Sequence, residues 1–143
     1  MTITDASFLV SFFGNDECTT KASRWWIKAD VILTASRLVI FEAENSMRTL
    51  HLEGKCTVDE CLWAVGKMKR AIGEGLIEVR DPMTKRLYPS ATRLSKYHSE
   101  SKRFGAMDIL HVAAALDLGA RQLVTFDARQ RELAEAEGLM VAP

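Results

Sequence analysis

Little in this sequence is extreme, and what is scarce in it narrows the possibilities. There is no basic start followed by an apolar block, as a secretory signal would need. No apolar run approaches the ~18 residues of a membrane span, so a cytosolic protein with no membrane partner is expected. The cysteines, Cys18, Cys56 and Cys61, are odd in number, and Cys56 and Cys61 lack the two-residue gap of a zinc knuckle or redox pair; reduced, structural thiols are expected. Only three prolines and no low-complexity run or repeat argue against disorder and against a fibrous chain. Charge of one sign is also missing: 19 basic residues meet 19 acidic ones, which argues against a protein that coats nucleic acid by charge alone. At 143 residues, 48% of them hydrophobic, the chain is expected to form one domain, 1–143.

What is present alternates. A strand at Thr2–Thr4 leads into an apolar helix through Phe8, Leu9, Phe12 and Phe13 that Gly14 stops. A helix from Glu17 to Ala29 carries Trp25 and Trp26; adjacent residues point to different helix sides, so one is expected in the core and the other over a groove, a partner or a nucleobase. A short strand follows at Val31–Leu33. Ser36 is a good N-cap for a helix reaching Leu50. Another helix runs from Thr57 to Ile72, ended by Gly73 and Gly75, before a strand at Leu76–Val79 and a turn at Asp81-Pro82. Pro89 suits the first turn of the next helix, and Ser99–Gly105 reads as a loop. The greasiest stretch is Asp108 to Leu118, a helix closed by Gly119 and followed by a buried strand, Leu123–Phe126. A charged helix (Ala128–Glu137, then Gly138) and a strand at Leu139–Val141 complete an α/β pattern with a largely parallel sheet between helical layers.

Ligands of such sheets sit beyond the carboxyl ends of the strands. Asp5 and Asp127 each follow a strand, Asp108 opens the buried helix, and Glu42 lies at the margin of its helix's apolar face. Glu44, opposite that face and four residues before Arg48, reads as a surface ion pair. Each of Asp5, Asp108 and Asp127 taken singly is explained by helix capping. Gathered at one end of one sheet, four carboxylates repel unless a cation joins them, and all-oxygen ligands suit Mg²⁺ or Mn²⁺ better than zinc. His111, three residues past Asp108, reads as a core histidine bonded to backbone. Carboxylates with such an ion belong to phosphate-ester chemistry. The six bases Lys85, Arg86, Arg93, Lys96, Lys102 and Arg103, against the single Glu100, read equally as a docking surface for a polyanion such as RNA and as a solvated helix face; on the first reading Arg93, Lys96, Lys102 and Arg103 are the candidate RNA contacts.

Four blocks, Thr-Asp-Ala-Ser at the start, Thr-Ala-Ser-Arg-Leu-Val-Ile-Phe-Glu-Ala-Glu-Asn, Asp-Ile-Leu-His-Val-Ala-Ala-Ala and Leu-Val-Thr-Phe-Asp, resemble in order and spacing the motifs of the PIN domain, in particular the VapC-like toxins of toxin–antitoxin pairs. The resemblance covers the whole chain. It implies a three-layer α/β/α sandwich with a mostly parallel sheet of four to five strands, and an endoribonuclease dependent on Mg²⁺ or Mn²⁺. It also implies a homodimer and a cognate antitoxin. The family's acids fall on Asp5, Glu42, Asp108 and Asp127, as metal-holding and catalytic groups, and Ser7 and Thr125 match hydroxyl positions near the metal.

Four other readings compete. One is a non-cleaving PIN-like RNA-binding or scaffold domain, against which the presence of all four acids speaks. A nuclease of RNA maturation would share the same site. A phosphatase of the haloacid dehalogenase type needs an Asp where Ser7 stands, and a phosphoacceptor domain needs paired acids after its first strand.

Overall fold

The computed structural model describes residues 1–98 and 103–143. The loop expected at Ser99–Gly105 therefore lies mostly outside the described residues, as does Lys102. Strands β1 (Thr2–Thr4), β2 (Leu33–Ala35), β3 (Ile77–Val79), β4 (Gln122–Val124) and β5 (Met140–Ala142) form one sheet in the order β3-β2-β1-β4-β5. Every pairing is parallel, including Thr2 with Leu33 and with Gln122 in register. The sheet is thus fully parallel.

Helices supply the crossovers. α1 (Ala6–Phe13), α2 (Thr19–Ala29), α3 (Arg37–Leu52) and α4 (Val58–Gly73) pack together on one face, and α5 (Thr84–His98), α6 (Ala106–Asp117) and α7 (Ala128–Ala136) on the other. Alternation along the strands serves both layers: Leu123 points into the core under α5–α7 and Val124 into the core under α1–α4. The first core holds Phe8, Leu9, Leu33 and Met68, and the second Ile3, Leu94, Val112 and Leu133. Among the described residues no helix is long and apolar enough to cross a membrane.

The starts and stops follow side-chain chemistry. Ser36 Oγ accepts the Val39 N–H at 3.2 Å, and Thr57 and Glu60 form a reciprocal capping box on α4. Gly119, at φ +71°, supplies the left-handed residue that turns the chain out of α6 into β4.

Several expectations need correction. β2 lies two residues later than Val31–Leu33: Ile32 is exposed while Leu33, Thr34 and Ala35 are buried, as a strand covered on both faces requires. Pro89 is not in a first turn. It is the sixth residue of α5, which begins at Thr84, and it leaves the Lys85 carbonyl without its helical donor. The tryptophans do not divide between core and surface, because Phe8 lies between them. Trp25 and Trp26 are both half-buried and meet the Phe8 ring edge-on at 5.5 and 6.2 Å. Glu44 pairs with Arg48 at 2.7 Å as expected, but it also faces Lys69 of α4 at 3.4 Å and is largely covered.

Candidate active site

The chain leaves β1 toward β2 on one side and returns as β4 on the other, so the sheet's switch point falls between β1 and β4. Asp5 ends β1 there and is the N-cap of α1, its Oδ1 accepting the Phe8 N–H at 3.0 Å. The side chain is only 1% exposed. Ser7 Oγ donates to it, 2.8 and 2.9 Å from its two oxygens, and Thr125 Oγ1 donates to Oδ2 at 2.9 Å. Those hydroxyls are themselves fed by backbone: Phe126 N–H donates to Ser7 Oγ and Asp127 N–H to Thr125 Oγ1, both at 2.9 Å. Two donor chains therefore run from the end of β4 into one carboxylate on β1. Burial nevertheless pushes the Asp5 carboxyl above its ordinary value, against the bonds from Phe8, Ser7 and Thr125 and the more distant His111.

Above Asp5 opens a cleft of about 270 Å³ lined by Ser7, Val10 and Ser11 of α1, Asp16, Glu42 and Ser46 of α3, and Asp127 and Gln130 of α7. Asp127 caps α7, its Oδ1 accepting from the N–H groups of Arg129 (2.7 Å) and Gln130 (3.0 Å). Glu42 is held from outside the cleft: His111 Nε2 donates to its Oε2 at 2.5 Å. His111 is buried, and its bond goes to this carboxylate, which corrects the backbone bond expected for it.

Three of the four expected acids, Asp5, Glu42 and Asp127, thus share the cleft. Asp108 does not line it; its Oδ2 turns back to accept the Gly105 N–H at 2.9 Å at the start of α6. Ser7 and Thr125 both touch Asp5. Asp16 is an acid that sequence reasoning missed. Its Oδ2 accepts from Ser11 Oγ at 2.7 Å and its Oδ1 from the Cys18 N–H at 2.8 Å. The signal was the stripe Ser7, Val10, Ser11, small or polar at helical spacing and leading straight to Asp16. Away from the cleft, Arg93 is paired with Glu137 at 2.8 Å, while Lys96 and Arg103 are exposed.

Can these groups hold a divalent ion? Among the described residues, no three His, Cys, Asp or Glu side chains stand together as a ready cage. A hard ion that keeps most of its water, needing one or two carboxylates directly, still fits. The buried Asp5 is hydrogen-bonded by neutral donors alone, and the Gln130 Oε1 lining the cleft is buried without a hydrogen-bond partner among the described residues. A hydrated cation bound in the cleft would offer a partner to each of them.

The sequence matches the family model of the PIN domain over residues 2–136. The chain belongs to the PIN domain family. Solved structures agree in fold. VapC20 of Mycobacterium tuberculosis, a toxin that cleaves the sarcin-ricin loop, aligns over 100% of both chains with a TM-score of 0.71 and 19% identity. PAE2754 of Pyrobaculum aerophilum gives 0.62 and 20%, covering 98% of this chain and 82% of that one. FitAcB of Neisseria gonorrhoeae gives 0.65 and 14%, covering 100% and 97%. Comparison with curated proteins gives no significant match.

Proposed function

We propose that this PIN domain is an endoribonuclease dependent on Mg²⁺ or Mn²⁺, and the toxin of a toxin–antitoxin pair. The observation that supports it most is Asp5, a carboxylate buried at the switch point with only neutral donors on it, beneath a cleft that adds Asp16, Glu42 and Asp127. A carboxylate kept there at a cost to folding is what a cation site needs. Asp5 and Asp127 would hold the ion, directly or through water, with Asp108 included in the set on the family resemblance. When bound, the ion supplies a polarised water and neutralises charge on the scissile phosphate. Glu42, fixed by His111, would orient the attacking water and accept its proton. Ser7 and Thr125 keep the Asp5 oxygens aimed at the cleft. The toxin part rests on the VapC20 likeness, and a cognate antitoxin and a homodimer go with it.

The test is cleavage of a structured RNA pool by purified protein in Mg²⁺ or Mn²⁺ and in EDTA, with the product ends identified. Cutting that EDTA abolishes, leaving 5′ phosphates, is the expected result. A protein that binds RNA and metal without cutting belongs instead to the non-cleaving binding modules. His111 offers a finer check. Losing the group that orients a catalytic carboxylate typically costs 10–100-fold, so His111→Ala should lower kcat by about that factor while KM for RNA stays put. His111→Gln, which keeps a donor, should recover part of the rate. An unchanged kcat in His111→Ala would remove Glu42 from the mechanism.

A further inference from the structure

We propose that the exposed face of α2 is a phosphate track for the RNA strand entering the cleft, formed by Lys21, Arg24 and Lys28. The proposal rests on the nuclease reading above and assigns its substrate a second contact surface, away from the basic cluster of α5.

A cleft lined by Asp5, Asp16, Glu42 and Asp127 repels a polyanion. The backbone must therefore be anchored by cations nearby. α2 contains no acidic residue, and its bases fall at spacings of three and four, which puts them on one face along about 10 Å of helix. They line a shallow groove with Thr20 and Trp25, in which Glu17 is the acid. Among the described residues, none of the three is paired with a carboxylate. Of the α5 bases, Arg93 is bound to Glu137 and Arg86 lies 4.0 Å from Asp117, which leaves Lys85 and Lys96 as the unpaired ones there among the described residues. In a chain of zero net charge, cations left without partners shape the local field.

The track joins the cleft physically. Lys21 Nζ lies 5.6 Å from the centroid of the Phe126 ring, within cation–π range. Phe126 stands between Thr125 and Asp127, and its N–H donates to the Ser7 hydroxyl that binds Asp5. Trp25 borders the same groove with its ring braced against Phe8, which makes it a fixed surface for a base to stack on. Phosphates on Lys28, Arg24 and Lys21 in turn would lead the strand to the acids.

The test compares wild type with K21A/R24A/K28A and with the charge-keeping K21R/R24K/K28R, after circular dichroism has established folding. Binding of a labelled single-stranded RNA is read by fluorescence anisotropy in EDTA over a salt series, and cleavage is read in Mg²⁺. The alanine variant should bind about 10-fold or more weakly at physiological salt, with the log–log salt slope reduced by about 2 for three lost phosphates. KM should rise by the same factor with kcat retained, and the charge-keeping variant should behave as wild type. Unchanged affinity and slope would overturn the track. So would unchanged RNA binding beside lost binding of a polyglutamate peptide, which would give the face to an acidic protein segment. If the wild type binds RNA without cutting, the nuclease reading falls and anisotropy still decides the track; if it does neither, both fall. Should the triple variant misfold, Lys28→Glu, at the exposed far end, carries the same comparison.

Discussion

Asp5→Asn should abolish RNA cleavage, by ~10³-fold or more, while making the metal-free protein more stable at neutral pH. Both effects come from one carboxylate. Burial raises its proton affinity above the ordinary value of 3.8, so it disfavours the ionised native state. At pH below that ordinary value, Asp5 is protonated in folded and unfolded chains alike, and burial exacts nothing through its charge. As pH rises past it, the unfolded chain ionises first, and native stability falls until the raised folded value is passed. Asn carries no charge and is flat across that window. It keeps an acceptor for the Phe8 N–H, and the Ser7 and Thr125 hydroxyls can turn to accept from its amide. The gain over wild type should therefore appear above about pH 4, grow until the raised folded value is passed and then level off, with a Tm difference of about 3 °C for each kcal/mol recovered. Thermal melts in EDTA at several pH values check it. A variant that is inactive and also less stable at every pH would mean that Asp5 is a structural cap, and the functional reading of the cleft would lose its main support.

The second large effect is in the core. Phe8 is fully buried, stacked on Phe126 at 5.9 Å and Phe12 at 6.2 Å, and met edge-on by both Trp25 and Trp26. Phe8→Ala should cost about 3–5 kcal/mol, because the four surrounding rings belong to α1, α2 and the β4–α7 connection and cannot all close on the cavity. Urea unfolding should show a lower midpoint with the slope preserved. A loss below about 1 kcal/mol would mean that the aromatic group repacks freely. The variant should also lose activity before it unfolds, since Phe126 is the neighbour of Asp127 and loses its backing ring.

Local chemistry was readable without the fold. The cap at Ser36, the stop at Gly119 and the acid at the end of β1 follow from residues within a few positions of one another, and the structure has them where expected. The alternation of strands and helices was enough to foresee a parallel sheet with helices on both sides. Long-range partners were not readable. Periodicity put Glu42 at the edge of an apolar face, but nothing local tells that His111, 69 residues away, would reach it. Asp108 is expected in the acid group because it begins the greasiest helix, and local sequence does not tell that its Oδ2 also accepts the Gly105 N–H. Asp16 was overlooked for the opposite reason: it lies in a loop, and only the fold of α1 turns it back over the cleft. Pro89 misled because the rule placing proline in a first turn describes frequency, and α5 begins a full turn earlier on Thr84.

The donor chains into Asp5 also have a consequence in time. Thr125 bonds Asp5 across 120 residues, and β1 takes β4 as one of its two neighbours. A chain still being synthesised holds Asp5 and Glu42 long before it holds the strand that completes the cleft. Until β4 is made, Asp5 lacks the Thr125 hydroxyl, Ser7 lacks its backbone donor, and Asp127 does not exist. The cleft is therefore among the last parts of this fold to be assembled, completed only when β4 and Asp127 have been made.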